Sequence, residues 1–190
     1  MHHFFAYISR LRHITRWALM RNTSRENVQE HSHQVAVIAH ALAVIANTQF
    51  GKDIDAGQVA VAALYHDATE ILTGDMPTPI KYYNPSIQGA YRQVEEVAKS
   101  ELVAMLPADF QPIYRSVLDE NDATTQRLVK AADKLSAYIK CVEEVKAGNN
   151  EFRKAMEQTY QSIQKMDMEE VGYFVEHFLP SFSLTLDELQ

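Results

Sequence analysis

The spacing of apolar residues constrains the fold of this chain more than any other feature. From Val28 to Ile45 an apolar or histidine side chain recurs every three or four residues, the period that places side chains on one face of an α-helix. The same period recurs between Leu128 and Val142. Only six glycines and six prolines occur among 190 residues, so few positions interrupt such helices. No stretch alternates convincingly as a strand, and the sequence therefore predicts an all-α protein of about six to eight helices.

Start and stop signals predict where these helices begin and end. Asn27 is a good N-cap with Glu30 three residues later, and Gly51 ends the helix that they begin. Asp55 is expected to cap a third helix that runs to about Leu72. Further helices are expected at about residues 4–13, 85–105, 122–148, 151–165 and 169–178, with a short helix or turn near 107–112 and a hint of a strand at 183–186.

Composition excludes several functional classes. Lys and Arg number 18 against 25 Asp and Glu, a net charge of −7, which is unsuitable for a broad nucleic-acid or anionic-membrane surface. The single cysteine, Cys141, has no partner for an intramolecular disulfide. The N-terminal apolar run is too short for a signal-peptide core, and the longest apolar stretch, 36–46, is too short for a membrane span. We therefore expect a cytoplasmic protein, with one domain over residues 1–190 and neither nucleic acid nor membrane as partner.

Three polar side chains occupy helix faces that are otherwise apolar. His31 lies in the first apolar seam, His66 shares a face with Val59, and Asp67 lies beside Leu64. A buried carboxylate is unfavourable unless it is paired or bound to a metal, and imidazole with carboxylate suits a divalent transition metal. A lone histidine in an apolar seam is more often a hydrogen-bonded core residue, so the residues alone leave both interpretations open.

The order of these residues along the chain resembles that of a known family. His31, the pair His66-Asp67 and the later Asp133 resemble the H…HD…D signature of the HD-domain metal-dependent phosphohydrolases. The closer resemblance is to the bacterial HD-domain 5′-deoxynucleotidases, which remove phosphate from deoxynucleoside 5′-monophosphates. The segments that carry it span nearly the whole chain in the expected order: Arg16-Trp17, 26–32, 65–70, 72–79, 130–133 and 147–152. Met76, where leucine is expected, is a departure that conserves volume.

The resemblance implies an HD-domain helical bundle with a metal site. In it, His31, His66, Asp67 and Asp133 would bind one divalent transition metal: cobalt or manganese, or else iron, zinc or copper. The donor types do not select among these metals, because availability in the cell also decides which one is bound. A homodimer is expected from the resemblance alone.

The resemblance also implies roles in substrate binding and catalysis. Glu70 would move a proton or orient water, or else hydrogen-bond to a ligand histidine, and Arg16 would grip the phosphate. Pro77 and Pro79 are expected to hold the backbone of segment 75–78 against C2′ and to disfavour ribonucleotides. The residues expected to contact the substrate are Arg16, Trp17, His31, Asp67, Asp75, Met76, Pro77, Thr78 and Asp133.

Two other functions stay open from the sequence. One is a different HD phosphohydrolase, acting on an alarmone, a cyclic nucleotide or a nucleoside triphosphate, which the released product would distinguish. The other is a non-catalytic HD module that binds a nucleotide or a partner, which the metal content would distinguish. No pattern in the sequence indicates a preferred base.

Overall fold

The fold is built from α-helices and short 3₁₀ segments. A computed structural model describes residues 1–81 and 83–190, and the side chain of Thr78 lies outside the described part. The α-helices are α1 (Phe4–Ile8), α2 (Val28–Phe50), α3 (Ala56–Tyr65), α4 (Glu70–Thr73), α5 (Thr78–Lys81), α6 (Pro85–Ala104), α7 (Gln111–Asp119), α8 (Ala123–Lys146), α9 (Arg153–Gln164) and α10 (Glu169–His177). The 3₁₀ segments are Ser9–His13, Asn150–Phe152, Leu179–Ser183 and Leu186–Leu189. The prediction of an all-α fold is confirmed.

Helix α2 begins and ends where its capping residues predict. The side chain of Asn27 accepts a hydrogen bond from the Glu30 backbone N–H at 3.0 Å, which satisfies one of the free donors of the first turn. At the other end Gly51 has φ of +64°, a left-handed conformation that glycine adopts without strain. Asp122 caps α8 in the same way as Asn27 caps α2.

The core lies between α2 and the helices that surround it. Val35 and Leu42 of α2 are fully buried, as are Leu128 and Leu135 of α8, and these residues belong to one continuous apolar cluster. Helices α3 and α10 contribute to the same cluster. The seam that packs α2 on α8 begins one turn after His31, so the packing of the core fixes where this histidine lies relative to α8.

The prediction of a third helix through Leu72 is wrong. Helix α3 ends at Tyr65, residues 66–69 form a turn, and α4 begins only at Glu70. In this turn the Ala68 N–H donates to the Tyr65 carbonyl at 3.0 Å, the i to i+3 bonding of a tightened backbone.

Tertiary packing accounts for the break better than local sequence does, because the turn contains neither glycine nor proline. Ala68 is 1 % exposed and belongs to a second apolar cluster with Phe4 and Leu102. The turn thus anchors its backbone in that cluster while His66 and Asp67 remain only half-buried.

The C-terminal hint of a strand is also wrong. Ser183 closes one 3₁₀ segment and Leu186 opens the next. In the described part of the chain the only β pairing is an isolated antiparallel bridge between Thr15 and Asn27. None of the described helices combines the length and apolar character needed to cross a membrane.

Candidate metal centre

Side chains from three separate elements converge at one point. One ligand atom each of His31 (α2), His66 (the turn after α3) and Asp133 (α8) lies within 4.8 Å of the other two. The His31 Nε2 atom is 3.1 Å from Asp133 Oδ1. Asp67 stands outside this trio, but its Oδ2 atom lies 3.2 Å from His66 Nε2 and 3.7 Å from His31 Nε2. The structure therefore brings together all four residues that were expected to bind a metal.

Hydrogen bonds on the far side of each ring orient the two histidines. The His66 Nδ1–H donates to the backbone carbonyl of Ala63 at 2.7 Å. The His31 Nδ1 atom is 3.1 Å from Ser136 Oγ, and this hydroxyl itself donates to Gln34 Oε1 at 2.6 Å. The Ser136 oxygen therefore accepts the Nδ1 proton of His31. Both rings therefore have Nδ1 engaged on the far side and present Nε2 to the cluster, the orientation that metal-binding histidines have.

The donor set fits a divalent transition metal. Among the described residues the Nε2 atoms of His31 and His66 are both buried and make no hydrogen bond, although carboxylate oxygens lie close by. Buried nitrogens without a partner are rare in folded proteins, and a cation shared with the carboxylates would satisfy both. Imidazole nitrogens together with carboxylate oxygens are ligands that such metals accept.

The charges at the cluster shift its pKa values strongly. Burial alone would lower the pKa of His66, but the negative charges of Asp67 and Asp133 outweigh it and raise that pKa to about 9. Burial raises the pKa of Glu70, and repulsion from Asp67 and Asp75 adds to the effect, so its pKa reaches about 9. In the metal-free protein His66 and Glu70 therefore keep their protons at neutral pH, which reduces the net negative charge of the cluster.

Arg16 is the positive group next to the cluster. Its Nη1 donates to Asp67 Oδ2 at 3.4 Å, and its Nε donates to Glu26 Oε2 at 3.2 Å. The side chain is 13 % exposed. Among the described residues Nη2 has no hydrogen-bond acceptor, so this donor is available to a bound anion.

The loop 17–26 that follows Arg16 is held to the end of α8. Glu144 of α8 is 1 % exposed and accepts hydrogen bonds from the Thr23 N–H at 2.9 Å, the Ser24 N–H at 3.1 Å and Asn149 Nδ2 at 2.8 Å. Lys140, 4 % exposed, forms an ion pair with Glu144 and donates to the Ser24 carbonyl. This buried pair fixes the path of the loop that begins beside the cluster.

Two further predicted residues, Glu70 and Asp75, lie near the same centre. Glu70 is 6 % exposed, and its Oε2 atom is buried without a hydrogen-bond partner among the described residues. Asp75 interacts electrostatically with Arg16, Asp67 and His31, so it lies near the cluster. Met76 and Pro77 are half-buried in the same segment, and the prediction for the Thr78 side chain falls outside the described part.

Sequence reasoning missed three side chains that orient the site. Ser136 and Gln34 fix His31, and Glu26 holds Arg16. Ser136 lies one turn after Asp133 on α8, and this spacing was a signal that could have indicated its role. Nothing in the local sequence indicates the contact of Glu26 with Arg16, because it depends on the path of the loop between them.

Comparison with protein families identifies one model that matches nearly the whole chain. The model described as 5′-deoxynucleotidase YfbR-like matches residues 3–182. A curated 5′-deoxynucleotidase of Photorhabdus laumondii is 48 % identical to this chain over 191 residues, covering 100 % of this chain and 97 % of the relative.

Solved structures share the fold. An HD-domain phosphohydrolase from Listeria innocua superposes with a TM-score of 0.82 at 27 % identity, covering 94 % of this chain and 87 % of the other. The HD phosphohydrolase of cyanophage S-2L, solved with dA and one catalytic Zn²⁺ ion, superposes with a TM-score of 0.67 at 20 % identity, covering 93 % and 96 % of the two chains.

Proposed function

The chain belongs to the YfbR-like 5′-deoxynucleotidase family, and from this membership we propose that it hydrolyses deoxynucleoside 5′-monophosphates to a deoxynucleoside and inorganic phosphate. One observation about the site carries the proposal furthest. Asp67 Oδ2 is approached by the Nε2 atoms of two histidines and by Nη1 of Arg16. The proposed metal site and the proposed phosphate-binding cation would therefore meet at a single carboxylate, an arrangement that suits phosphoryl transfer to water.

His31, His66, Asp67 and Asp133 would hold the metal. The unbonded Nε2 atoms of both histidines support this assignment. Two nitrogen and two oxygen donors favour a transition metal such as manganese, cobalt, iron, zinc or copper over magnesium or calcium, which prefer oxygen ligands alone. A divalent ion bound there supplies Lewis acidity to the phosphoryl group and lowers the pKa of water.

Arg16 and Glu70 supply the chemistry of the protein itself. Arg16 is held by Glu26 and Asp67, and its Nη2 donates to a phosphoryl oxygen, neutralising charge that grows during the reaction. Glu70, whose metal-free pKa is about 9, either carries a proton between water and the departing 5′-oxygen or orients the attacking water. Both roles place its buried carboxyl group against the reacting phosphate.

Discrimination against ribonucleotides would come from Trp17 and segment 75–78. Asp75 would accept a hydrogen bond from the sugar 3′-hydroxyl, and Pro77 would hold the backbone against C2′. A ribose 2′-hydroxyl would then meet either backbone or indole. We also propose a homodimer, a cytoplasmic location and one HD domain over residues 1–190.

The test is phosphate release by metal-stripped protein given dAMP or AMP, with and without Mn²⁺ or Co²⁺. Release from dAMP that requires metal, is smaller from AMP and is absent in Asp67→Ala supports the proposal. An Asp53→Ala variant, in which an exposed carboxylate outside the cluster is removed, is the matched control and should behave as wild type. Release of pyrophosphate from a nucleoside triphosphate, together with no release of phosphate from dAMP, would contradict the proposal.

A further inference from the structure

Glu26 binds two adjacent residues of the site through one oxygen atom. Its Oε2 accepts a hydrogen bond from Arg16 Nε at 3.2 Å and another from Trp17 Nε1 at 2.9 Å. The backbones of the same residues are paired as well, because the Arg16 N–H donates to the Glu26 carbonyl at 3.0 Å. The Glu26 side chain is 12 % exposed, so water competes little for these bonds.

Trp17 has an unusual backbone conformation, and its side chain is held from two sides. Its φ is +57°, in the left-handed region that residues with a Cβ rarely adopt. The turn is closed by the Met20 N–H, which donates to the Trp17 carbonyl at 2.9 Å. The indole packs against Phe152 with ring centroids 5.3 Å apart, and the bond to Glu26 fixes the edge that carries its nitrogen.

The carboxylate of Glu26 also sets the orientation of the Arg16 guanidinium group. The bond from Nε to Glu26 sets the plane of the group, and Nη1 then faces Asp67. A planar donor fork binds phosphate well only when its plane is fixed in advance. Because one oxygen of Glu26 binds both side chains, a shift of Glu26 would move Arg16 and Trp17 together.

We propose that Glu26 is a positioning residue that aligns Arg16 with the phosphate and Trp17 with the sugar, so that phosphate affinity and sugar discrimination depend on one carboxylate. The proposal rests on the proposed function for its substrate. The contacts of Glu26 with the two side chains do not depend on that function, and they give the proposal a measurement of its own.

The experiment compares Glu26→Ala, which removes the shared acceptor oxygen, and Glu26→Asp with Glu143→Gln. Glu143 lines the same surface cavity as Glu26 and has no bond to Arg16 or Trp17 among the described residues, so it controls for loss of a charge there. Glu26→Asp keeps the charge and withdraws the oxygen by one methylene group. Circular dichroism melts establish that each variant is folded. Steady-state kinetics use dAMP and AMP, and Trp17, the only tryptophan, reports its own environment through fluorescence emission and acrylamide quenching.

We expect kcat/KM for dAMP to fall about 10- to 100-fold in both Glu26 variants, mainly through a higher KM. Losing one hydrogen bond to a charged group changes an equilibrium constant by about this factor. The ratio of dAMP to AMP turnover should fall with it, and quenching of Trp17 should increase. Glu143→Gln should match wild type in all three measurements.

Three results would overturn the proposal. The first is wild-type kinetics and quenching in Glu26→Ala. The second is Glu26→Asp behaving as wild type, which would leave only a role for the charge. The third is a loss of activity without a change in Trp17 quenching. If wild type is itself inactive on dAMP, the proposed function fails, and quenching of the Glu26 variants still decides whether Glu26 holds Trp17.

Discussion

Replacing Glu144 by glutamine should destabilise the protein far more than an exposed acid-to-amide change does. The substitution keeps the shape and removes the charge that pairs with Lys140, itself 4 % exposed. It also turns an NH₂ group towards the N–H donors of Thr23 and Ser24. Removing one partner of a buried ion pair costs about 3–5 kcal/mol because the other charge is left uncompensated. In a protein of this size that corresponds to a fall in Tm of roughly 6–20 °C.

The assay is thermal unfolding followed by circular dichroism at pH 7. Glu143→Gln, an exposed change one residue earlier on α8, is the matched control and should shift Tm by less than about 2 °C. Acrylamide quenching of Trp17 should rise in Glu144→Gln, because the loop that carries it loses its anchor. A Tm within 2 °C of wild type for Glu144→Gln would refute the claim that the buried pair fixes this loop.

The pH dependence of the same comparison has a definite sign. Burial alone would raise the pKa of Glu144, but Lys140 and the donors of Thr23 and Asn149 outweigh it and hold that pKa well below 4.5. A carboxyl group whose pKa is lowered on folding stabilises the folded state above its unfolded pKa and loses this contribution as pH falls. The difference in unfolding free energy between wild type and variant should therefore be widest near pH 6–7 and narrow below pH 4.5. Urea unfolding at pH 7 and pH 4 measures it, and a difference that widens in acid would contradict the argument.

Three further predictions concern single side chains. Glu70→Gln should lower kcat by about 10²–10⁴-fold while the metal content per chain stays at the wild-type value. Loss of the metal in this variant would instead show that Glu70 binds the metal or holds one of its ligands in place. Ser136→Ala should weaken metal binding by about 10–100-fold, because it frees the far side of His31; titration of stripped protein measures this, and an unchanged affinity would refute the role of Ser136. Burial raises the pKa of Cys141 to about 12. Its thiol should therefore resist a disulfide reagent at pH 8 and react once per chain after unfolding. Rapid reaction of the folded protein would contradict the burial of this thiol.

The sequence predicts those parts of the fold that local chemistry decides. The start of α2 at Asn27 and its end at Gly51 follow from a side-chain acceptor and a left-handed glycine, each of which acts within one helical turn. The long helix α8 and its capping Asp122 are predicted for the same reason. In these segments the hydrophobic period and the end signals agree.

The rest of the fold depends on contacts between distant segments. The break after Tyr65 follows from packing of Ala68 against Phe4 and Leu102, which no local signal shows. The apolar seam of α8 does not pass through Asp133, so its role came from the family resemblance and not from periodicity. Ser136 meets His31 across 105 residues of chain, and such a pairing is visible only once α2 and α8 are packed.

His31, His66, Asp67 and Asp133 are proposed to hold one divalent metal. Anomalous diffraction from crystals grown with Mn²⁺ or Co²⁺ tests it directly, since the scattering locates the ion independently of the protein density. We expect a single strong peak about 2.0–2.3 Å from Nε2 of both His31 and His66, with carboxylate oxygens of Asp67 and Asp133 also in contact, and no peak in Asp133→Ala crystals. A peak elsewhere, or none between the histidines at saturating metal, would contradict this metal assignment.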